Sequence, residues 1–185
     1  MDCWVRLRAA TRTAHEAIER LPPLIRLFSD DYSRAELVAL FSAMLSVHEP
    51  LEASLVGTAE AAAIGYIPRS PLLRAGLARL GSANTDVVSV PVPAIPTPAA
   101  SLGAFYVLEG AILGGQVIRR RLLNHFGESL GDALTFYSPY GEDVGGQWIR
   151  FRTVLERILV TDSLYCESER TALVTFAAIA SALVL

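Results

Sequence analysis

Residues 101–123 read SLGAFYVLEGAILGGQVIRRRLL and make up most of the longest predicted helix, which covers about residues 99–126. Gly110, Gly114 and Gly115 lie in its interior, where each glycine costs roughly 1 kcal/mol relative to alanine, or about 3 kcal/mol together. Gly110 and Gly114 are one turn apart, so one helix face carries no side chain over more than a turn. This bare face predicts either close packing against another helix or a flat ligand lying on the backbone.

The rest of the chain predicts further helices and no strand. Ser33 and Glu36 have capping-box spacing at the start of the second helix, and Pro50 should kink or break that helix near His48. The predicted helices cover residues 4–20, 33–55, 71–80 (capped by Ser70), 99–126, 128–136, 144–159 and 167–185. Residues 87–98, VVSVPVPAIPTP, are too rich in proline for a central strand and predict an extended connector. We therefore expect one all-α, bundle-like domain over residues 1–185.

Composition favours a cytoplasmic protein with an unusually apolar core or pocket. Hydrophobic residues make up 52% of the chain and charged residues 19%, with a mean hydropathy of +0.38. The apolar stretch 171–185 is shorter than the ~20 residues that cross a bilayer, so we predict a core helix there and no membrane span. The N-terminus has no basic region followed by an apolar run, and Cys3 and Cys166 supply no disulfide framework. A net charge of −3 argues against nucleic acid as a partner.

His15 lies on the first predicted helix with polar residues at helical spacing. Glu19, one turn later, can accept a hydrogen bond from one imidazole nitrogen and make the other a more basic metal ligand. Arg12 and Arg8 lie about one and two turns earlier on the same side. This pattern suits a ligand with an iron centre and two carboxylates. The alternative is a boundary histidine beside a solvated Arg12–Glu16 pair.

Two segments taken together resemble the haem oxygenase family. Residues 7–20, LRAATRTAHEAIER, resemble the proximal helix of haem oxygenases, with His15 in the place of the axial histidine. Residues 106–117, YVLEGAILGGQV, resemble the glycine-rich distal helix, most closely in the bacterial branch associated with phytochromes. Two later segments are similar as well: residues 147–151, QWIRF, to the helix near the haem propionates, and Phe176 to a phenylalanine of the haem wall.

The resemblance implies a haem oxygenase-like bundle with haem held between the proximal and distal helices. His15 would bind the iron, and the distal side would be formed by Gly110, Ala111, Gly114 and Gly115. The other haem contacts that the resemblance implies are Arg8, Arg12, Glu19, Tyr106, Arg150 and Phe176. The implied reaction converts haem and oxygen to biliverdin, carbon monoxide and iron, with electrons from a ferredoxin or reductase. A bacteriophytochrome would be a candidate recipient of the biliverdin.

Ala111 departs from the pattern of many haem oxygenases, which have an aspartate at this position to order a proton-donating water. Phytochrome-associated members commonly have a small residue there too. Glu109 is a close neighbour in sequence but projects about 200° away from Ala111 around the helix, so we assign it no part in proton transfer. We expect water held by backbone groups of the distal helix to take that role.

Four other classes of protein share parts of this pattern. A non-catalytic haem carrier or sensor would have the same pocket and differ in turnover. A di-iron oxidase needs several carboxylates with Glu-x-x-His spacing, which the chain lacks. A thiaminase-like hydrolase needs a pocket cysteine, whereas Cys3 and Cys166 lie at segment ends, and a structural helical module would use the glycines for packing alone. His48 and His125 are predicted at the surface or core boundary, outside the site.

Overall fold

The computed structural model describes residues 2–82 and 87–185, and no strand occurs within these ranges. The helices are α1 (Cys3–Glu19), α2 (Pro22–Arg26), α3 (Arg34–Leu55), α4 (Ala59–Ile64), α5 (Ser70–Arg79), α6 (Pro98–Phe126), a 3₁₀ segment (Glu128–Tyr137), α7 (Val144–Ile158) and α8 (Asp162–Val184). The predicted all-α class is confirmed.

Helix α6 runs through the core and is buried over most of its N-terminal half. It packs most extensively on α8. At Gly103 the two backbones approach so closely that a Cβ would collide with the carbonyl group of Ser168. Fully buried side chains from the neighbouring helices, including Leu7 of α1, Phe41 of α3 and Phe151 of α7, complete the core. Glycine at position 103 is therefore required by packing, which the sequence pattern did not indicate.

Helix α3 continues through Pro50, so the predicted break near His48 is wrong. Proline has no N–H to donate to the carbonyl oxygen four residues earlier, which here belongs to Ser46. The backbone N–H of Val90 donates to that oxygen over 3.2 Å, so the carbonyl is paired despite the proline. The connector that follows α5 thus compensates for Pro50. The capping box of Ser33 at the start of α3 is confirmed.

Two other helix starts differ from the prediction. Ser70 is the first residue of α5 and does not cap it, because its hydroxyl donates to Glu52 over 2.5 Å. Helix α8 begins at Asp162, earlier than residue 167, because the side chain of Thr161 accepts a hydrogen bond from the N–H of Leu164 and caps the helix there. Helices α2 and α4 were not predicted, since five and six residues are too short to show periodicity.

Among the described helices, α6 is long and apolar enough to cross a bilayer, with a hydropathy of 1.4 over its most apolar window. The sequence prediction of no membrane span rested on residues 171–185, which belong to α8. In α6, 61% of that window is buried inside the protein. Its apolar character is thus explained by its place in the core, against α8 and the 3₁₀ segment.

Candidate functional site

A cavity of about 760 Å³ has walls from α1, α3, α6 and α8, and its volume lies within the usual range for small-molecule sites. The sequence-predicted residues that line it are Arg8, Arg12, His15, Glu19, Tyr106, Gly110, Ala111, Gly114, Gly115 and Phe176. Arg150 does not line it. The fold thus brings the first helix and the glycine-rich part of α6 to the same cavity, although they are far apart in sequence.

His15 forms part of the α1 wall, near the open edge of the cavity. Its Nδ1 lies 3.6 Å from Oε1 of Glu19, and the two side chains are 58% and 63% exposed. The ring of Phe176 from α8 meets the imidazole edge-on, with 6.0 Å between the ring centroids. Because Nδ1 faces the carboxylate, Nε2 is the nitrogen left to bind a ligand, and Phe176 restricts the ring's orientation.

Two guanidinium groups lie on the same helix as His15 and also border the cavity. Arg8 and Arg12 form no ion pair with any residue in the ranges 2–82 and 87–185. The alternative pairing of Arg12 with Glu16 is not observed, since Glu16 instead lies 3.5 Å from the guanidinium of Arg20. Both arginines are therefore available to bind the carboxylates of a ligand.

Tyr106 of α6 contributes the wall between α1 and the glycines. Its hydroxyl lies 3.4 Å from Oγ1 of Thr11, whose own proton is donated to the carbonyl oxygen of Leu7 over 2.7 Å. Burial raises the pKa of Tyr106, so its hydroxyl stays protonated. This contact links α1 to α6 at the base of the cavity.

The glycines of α6 divide into two kinds. A Cβ at Gly110 or Gly114 would meet no atom within 4 Å, so both glycines border open space. A Cβ at Gly115 would lie 3.3 Å from the ring and the carbonyl oxygen of Tyr137, so this glycine instead allows the 3₁₀ segment to pack on α6. The bare helix face thus contains one glycine that packs on another segment and two that border open space, and Gly110, Ala111 and Gly114 line the cavity.

Arg150 lies on α7 outside the cavity. Its guanidinium donates to Oε1 of Gln147 over 2.9 and 3.1 Å and to Asp143 over 3.0 Å. Gln147 is buried and in turn donates to Oε2 of Glu109 over 2.9 Å and to the hydroxyl of Tyr140 over 3.0 Å. Arg150 thus orients Gln147 from the surface side of a buried hydrogen-bond network.

Glu109 is at the centre of that network and does not itself line the cavity, although its partner Arg69 does. Arg69 donates to its carboxylate over 2.8 Å, with both side chains almost completely buried, and Tyr140 donates to it over 3.0 Å. Burial raises the pKa of Glu109, and the positive charge of Arg69 opposes that rise. Glu109 is thus outside the face of Ala111, as the helix geometry predicts, whereas the network around Glu109 has no signal in the sequence.

The prediction that His48 lies at the surface or core boundary is wrong. His48 is only 5% exposed, and it lines the same cavity as Gly110 and Ala111. Glu52, one turn later on α3, is buried beside it. The lone histidine gave no sequence signal except its i, i+4 spacing to a glutamate. His125, in contrast, is half-buried, and its Nε2 lies 2.7 Å from the carbonyl oxygen of Tyr32, away from the cavity.

The side chains that a di-iron oxidase or a thiaminase-like hydrolase would need are missing from residues 2–82 and 87–185. In those ranges no three side chains of His, Cys, Asp or Glu come together as a metal site would require. Cys3 is buried with its Sγ 3.4 Å from the carbonyl oxygen of Leu159, Cys166 is exposed, and neither lines the cavity. The described residues therefore supply neither a di-iron ligand set nor a cavity thiol.

Solved structures of haem oxygenases have the same fold as this chain. The haem oxygenase of Leptospira interrogans matches with a TM-score of 0.74 at 19% identity, over 98% of this chain and 100% of that one. Haem oxygenase-1 of the cyanobacterium Synechocystis, in complex with haem, matches with a TM-score of 0.78 at 15% identity, over 99% and 91%. Haem oxygenase-2 of Synechocystis, in complex with haem and NO, matches with a TM-score of 0.78 at 18% identity, over 99% and 84%.

No family model matches the sequence, and no curated protein does. At these identities the structural matches establish the fold. The haem oxygenase-like fold predicted from the two sequence motifs is confirmed.

Proposed function

We propose that this protein is a haem oxygenase, which cleaves haem to biliverdin, carbon monoxide and ferrous iron with molecular oxygen and electrons from an external donor. One observation carries the proposal. A single cavity has an imidazole on one wall and bare helix backbone on another, within a fold whose Synechocystis examples were solved with haem bound.

The cavity residues fit haem in both shape and donor chemistry. Gly110 and Gly114 leave open space that side chains would fill, which suits a flat macrocycle or a small molecule bound on it. His15 supplies the imidazole that commonly binds haem iron. Arg8 and Arg12, which have no ion-pair partner in the described ranges, suit the two propionate carboxylates.

When bound, haem would supply both the iron that activates oxygen and the porphyrin that is cleaved. His15 would hold the iron through the nitrogen that does not face Glu19. Glu19 would keep Nδ1 protonated, which fixes the tautomer and makes the other nitrogen a stronger ligand. The guanidiniums of Arg8 and Arg12 would orient the ring by its carboxylates. Apolar cavity residues such as Phe176 would exclude bulk water from the reacting atoms.

We further propose a cytoplasmic setting, a ferredoxin or reductase as electron donor, and a bacteriophytochrome as recipient of the biliverdin. The resemblance of residues 106–117 to phytochrome-associated haem oxygenases supports the recipient, and the two unpaired cysteines support a reducing compartment. An external electron donor belongs to the proposal because the implied reaction consumes electrons, which haem oxygenases take from a ferredoxin or reductase.

The decisive experiment adds hemin to the purified protein, then a reducing system in air, and follows the visible spectrum. A haem oxygenase loses its Soret band and yields a bilin, whereas a haem carrier or sensor keeps the band. We expect His15→Ala to alter the iron coordination spectrum and to abolish turnover. His125→Ala, which changes a histidine outside the cavity, should behave like the unmodified protein. Unaltered iron coordination in His15→Ala would show that another residue is the axial ligand.

A further inference from the structure

We propose that His48 delivers protons to oxygen held in the cavity and that Glu52 fixes its orientation and tautomer. This inference rests on the proposed haem oxygenase activity, because the reduction of oxygen consumes protons. Position 111, where many haem oxygenases have a water-ordering aspartate, is alanine in this chain and cannot order water through a side chain. His48 is the imidazole that α3 contributes to the same cavity.

The position of His48 is poorly explained by a structural role. Its ring packs edge-on against Phe136, with 5.4 Å between centroids, and the residue is 5% exposed. Its Nδ1 is fully buried and has no hydrogen-bond partner among residues 2–82 and 87–185. An unpaired buried polar atom costs about 1–3 kcal/mol, so packing against Phe136 alone does not explain a histidine at this position.

Glu52 does not need His48 in order to be paired. Its carboxylate accepts hydrogen bonds from the hydroxyl of Tyr66 (2.6 Å), the backbone N–H groups of Arg69 (2.5 Å) and Ser70 (2.9 Å), and the Ser70 hydroxyl (2.5 Å). Burial alone would raise the pKa of Glu52, but the contacts with His48 and the neighbouring hydroxyls lower it to about 2. The carboxylate is therefore ionised throughout the neutral range.

The ionised carboxylate determines which nitrogen of His48 can react. Oε1 of Glu52 lies 3.7 Å from Nδ1, an ionic contact and not a hydrogen bond. A negative charge beside Nδ1 favours the tautomer with the proton on that nitrogen, as a buried carboxylate does for the histidine of a serine protease. Nε2 is then the nitrogen that exchanges protons, and it belongs to a ring that lines the cavity.

The other titratable groups near this ring are held in one state. Burial raises the pKa of Tyr66 and of Tyr137, so both phenols stay neutral. Arg69 lines the cavity, and its guanidinium is bound to Glu109. The side chains that α8 adds to the cavity wall, from Phe176, Ile179 and Leu183, are apolar. Glu52 is thus the described carboxylate that acts directly on His48.

The proposed step is one proton transfer. The donor is the imidazolium form of His48: the N–H bond at Nε2 breaks and an O–H bond forms on the oxygen being reduced, while the electron comes from the external donor and the imidazole that remains has its proton on Nδ1. Nε2 then regains a proton from water at the open edge of the cavity. Glu52 keeps its charge throughout, because the hydrogen bonds that it accepts from Tyr66 and from the backbone of Arg69 and Ser70 do not depend on the state of the imidazole.

The first test uses the protein without haem. The chain has three histidines, so a His15→Ala/His125→Gln double variant leaves only the ¹⁵N imidazole signals of His48. We expect the neutral form of His48 to carry its proton on Nδ1, and Glu52→Gln to weaken that preference. A neutral form protonated on Nε2 in the Glu52-containing protein would overturn the proposal.

The second test compares the haem complexes of the wild type, His48→Gln and the matched control His125→Gln. We expect His48→Gln to bind haem as the wild type does but to degrade it about 100-fold more slowly, the usual contribution of a positioned acid. Its turnover rate should also lose the pH dependence that an ionising imidazole imparts. His125→Gln should match the wild type, and thermal melts would confirm that all three proteins fold.

The outcomes separate the two proposals. A wild type that binds haem and keeps it under reductant and air would refute the haem oxygenase activity and, with it, the proton transfer. A wild type and a His48→Gln variant that degrade haem at the same rate, with the same pH profile, would refute the role of His48 alone. Should His48→Gln fail to fold, the tautomer measurement in the haem-free protein still decides the matter.

Discussion

Two histidine–glutamate pairs with the same spacing have opposite environments at the level of single residues. His15 and Glu19 are more than half exposed, whereas the side chains of His48 and Glu52 are 7% and 3% exposed. Water screens the first pair, so its carboxylate acts mainly by orienting the imidazole. In the second pair a buried charge must be compensated by hydrogen bonds, which the segment before α5 supplies. The same spacing thus produces an exposed, solvent-screened pair in one place and a fixed buried charge in the other.

The buried Glu52 carboxylate makes the stability of the protein depend on pH on the acid side. Since its pKa is about 2 in the folded protein, the unfolded chain takes up a proton first as the pH falls. The ionised Glu52 carboxylate contributes fully to stability above the ordinary pKa of a glutamate, about 4.3, and this contribution is lost as the pH falls through about 2. A pKa lowering of this size corresponds to about 3 kcal/mol in the free energy of unfolding.

We expect Glu52→Gln to be less stable near neutral pH and to lose less stability than the wild type over that acid range, as measured by urea unfolding. The matched control is Glu36→Gln, because the pKa of Glu36 is also lowered to about 2, by Arg26 and Ser33, at a more exposed site. Solvent screening should make the effect of that variant much smaller. An acid-side decrease as steep in Glu52→Gln as in the wild type would contradict this interpretation.

At the level of elements, α6 combines a packing glycine, Gly103, with glycines that border the open cavity, Gly110 and Gly114. We expect Gly103→Ala to destabilise the protein by about 1–3 kcal/mol, because its Cβ would collide with the backbone of α8 at Ser168. Gly110→Ala should instead stabilise the haem-free protein by about 1 kcal/mol, the helix propensity of alanine over glycine. The same methyl group would occupy the cavity and weaken haem binding.

The two substitutions are matched, since both add one methyl group to the same helix. Urea unfolding and hemin titration of each variant would check the prediction. If Gly110→Ala were to destabilise the fold, or leave haem affinity unchanged, the open space beside Gly110 would not be part of the haem site.

The limits of sequence-based prediction are also clear at the level of elements. Periodicity and the capping box of Ser33 located the long helices, because both signals are local. The continuation of α3 through Pro50 depends on the N–H of Val90, far along the chain, and periodicity contains no information about such a partner. The start of α5 differs for the same reason, since Ser70 is bound by Glu52 from another helix.

At the scale of the whole molecule, the sequence indicated the cavity walls on α1, α6 and, through Phe176, α8, and missed the wall on α3. His15 and the glycines of α6 were found because each has a local pattern that resembles a known family. The α3 wall, with His48, has no such pattern, and only the folded chain shows which face of α3 is turned to the cavity. Arg150 was placed by resemblance, but in the structure it supports Gln147 and Glu109 from outside the cavity.

The arrangement of helices around the cavity predicts how haem changes the stability of the molecule. Helix α1 packs on α7 and α8, and the cavity lies between it and the glycine-rich part of α6. Haem bound to His15 and lying against Gly110 would connect these two helices. A ligand that binds only the folded state stabilises it by about 2.7 kcal/mol when its concentration is 100 times its dissociation constant.

We therefore expect haem to raise the melting temperature and to slow amide hydrogen exchange most in α1 and in residues 106–118 of α6. Helix α5, which does not line the cavity, should change least. His15→Ala should lose part of the added protection in α1, because the bond to the iron would connect that helix to the ligand together with the contacts of Arg8 and Arg12. Equal protection of α5 and α1 would mean that haem stabilises the whole fold uniformly. That result would contradict the proposal that haem connects α1 to α6 across the cavity.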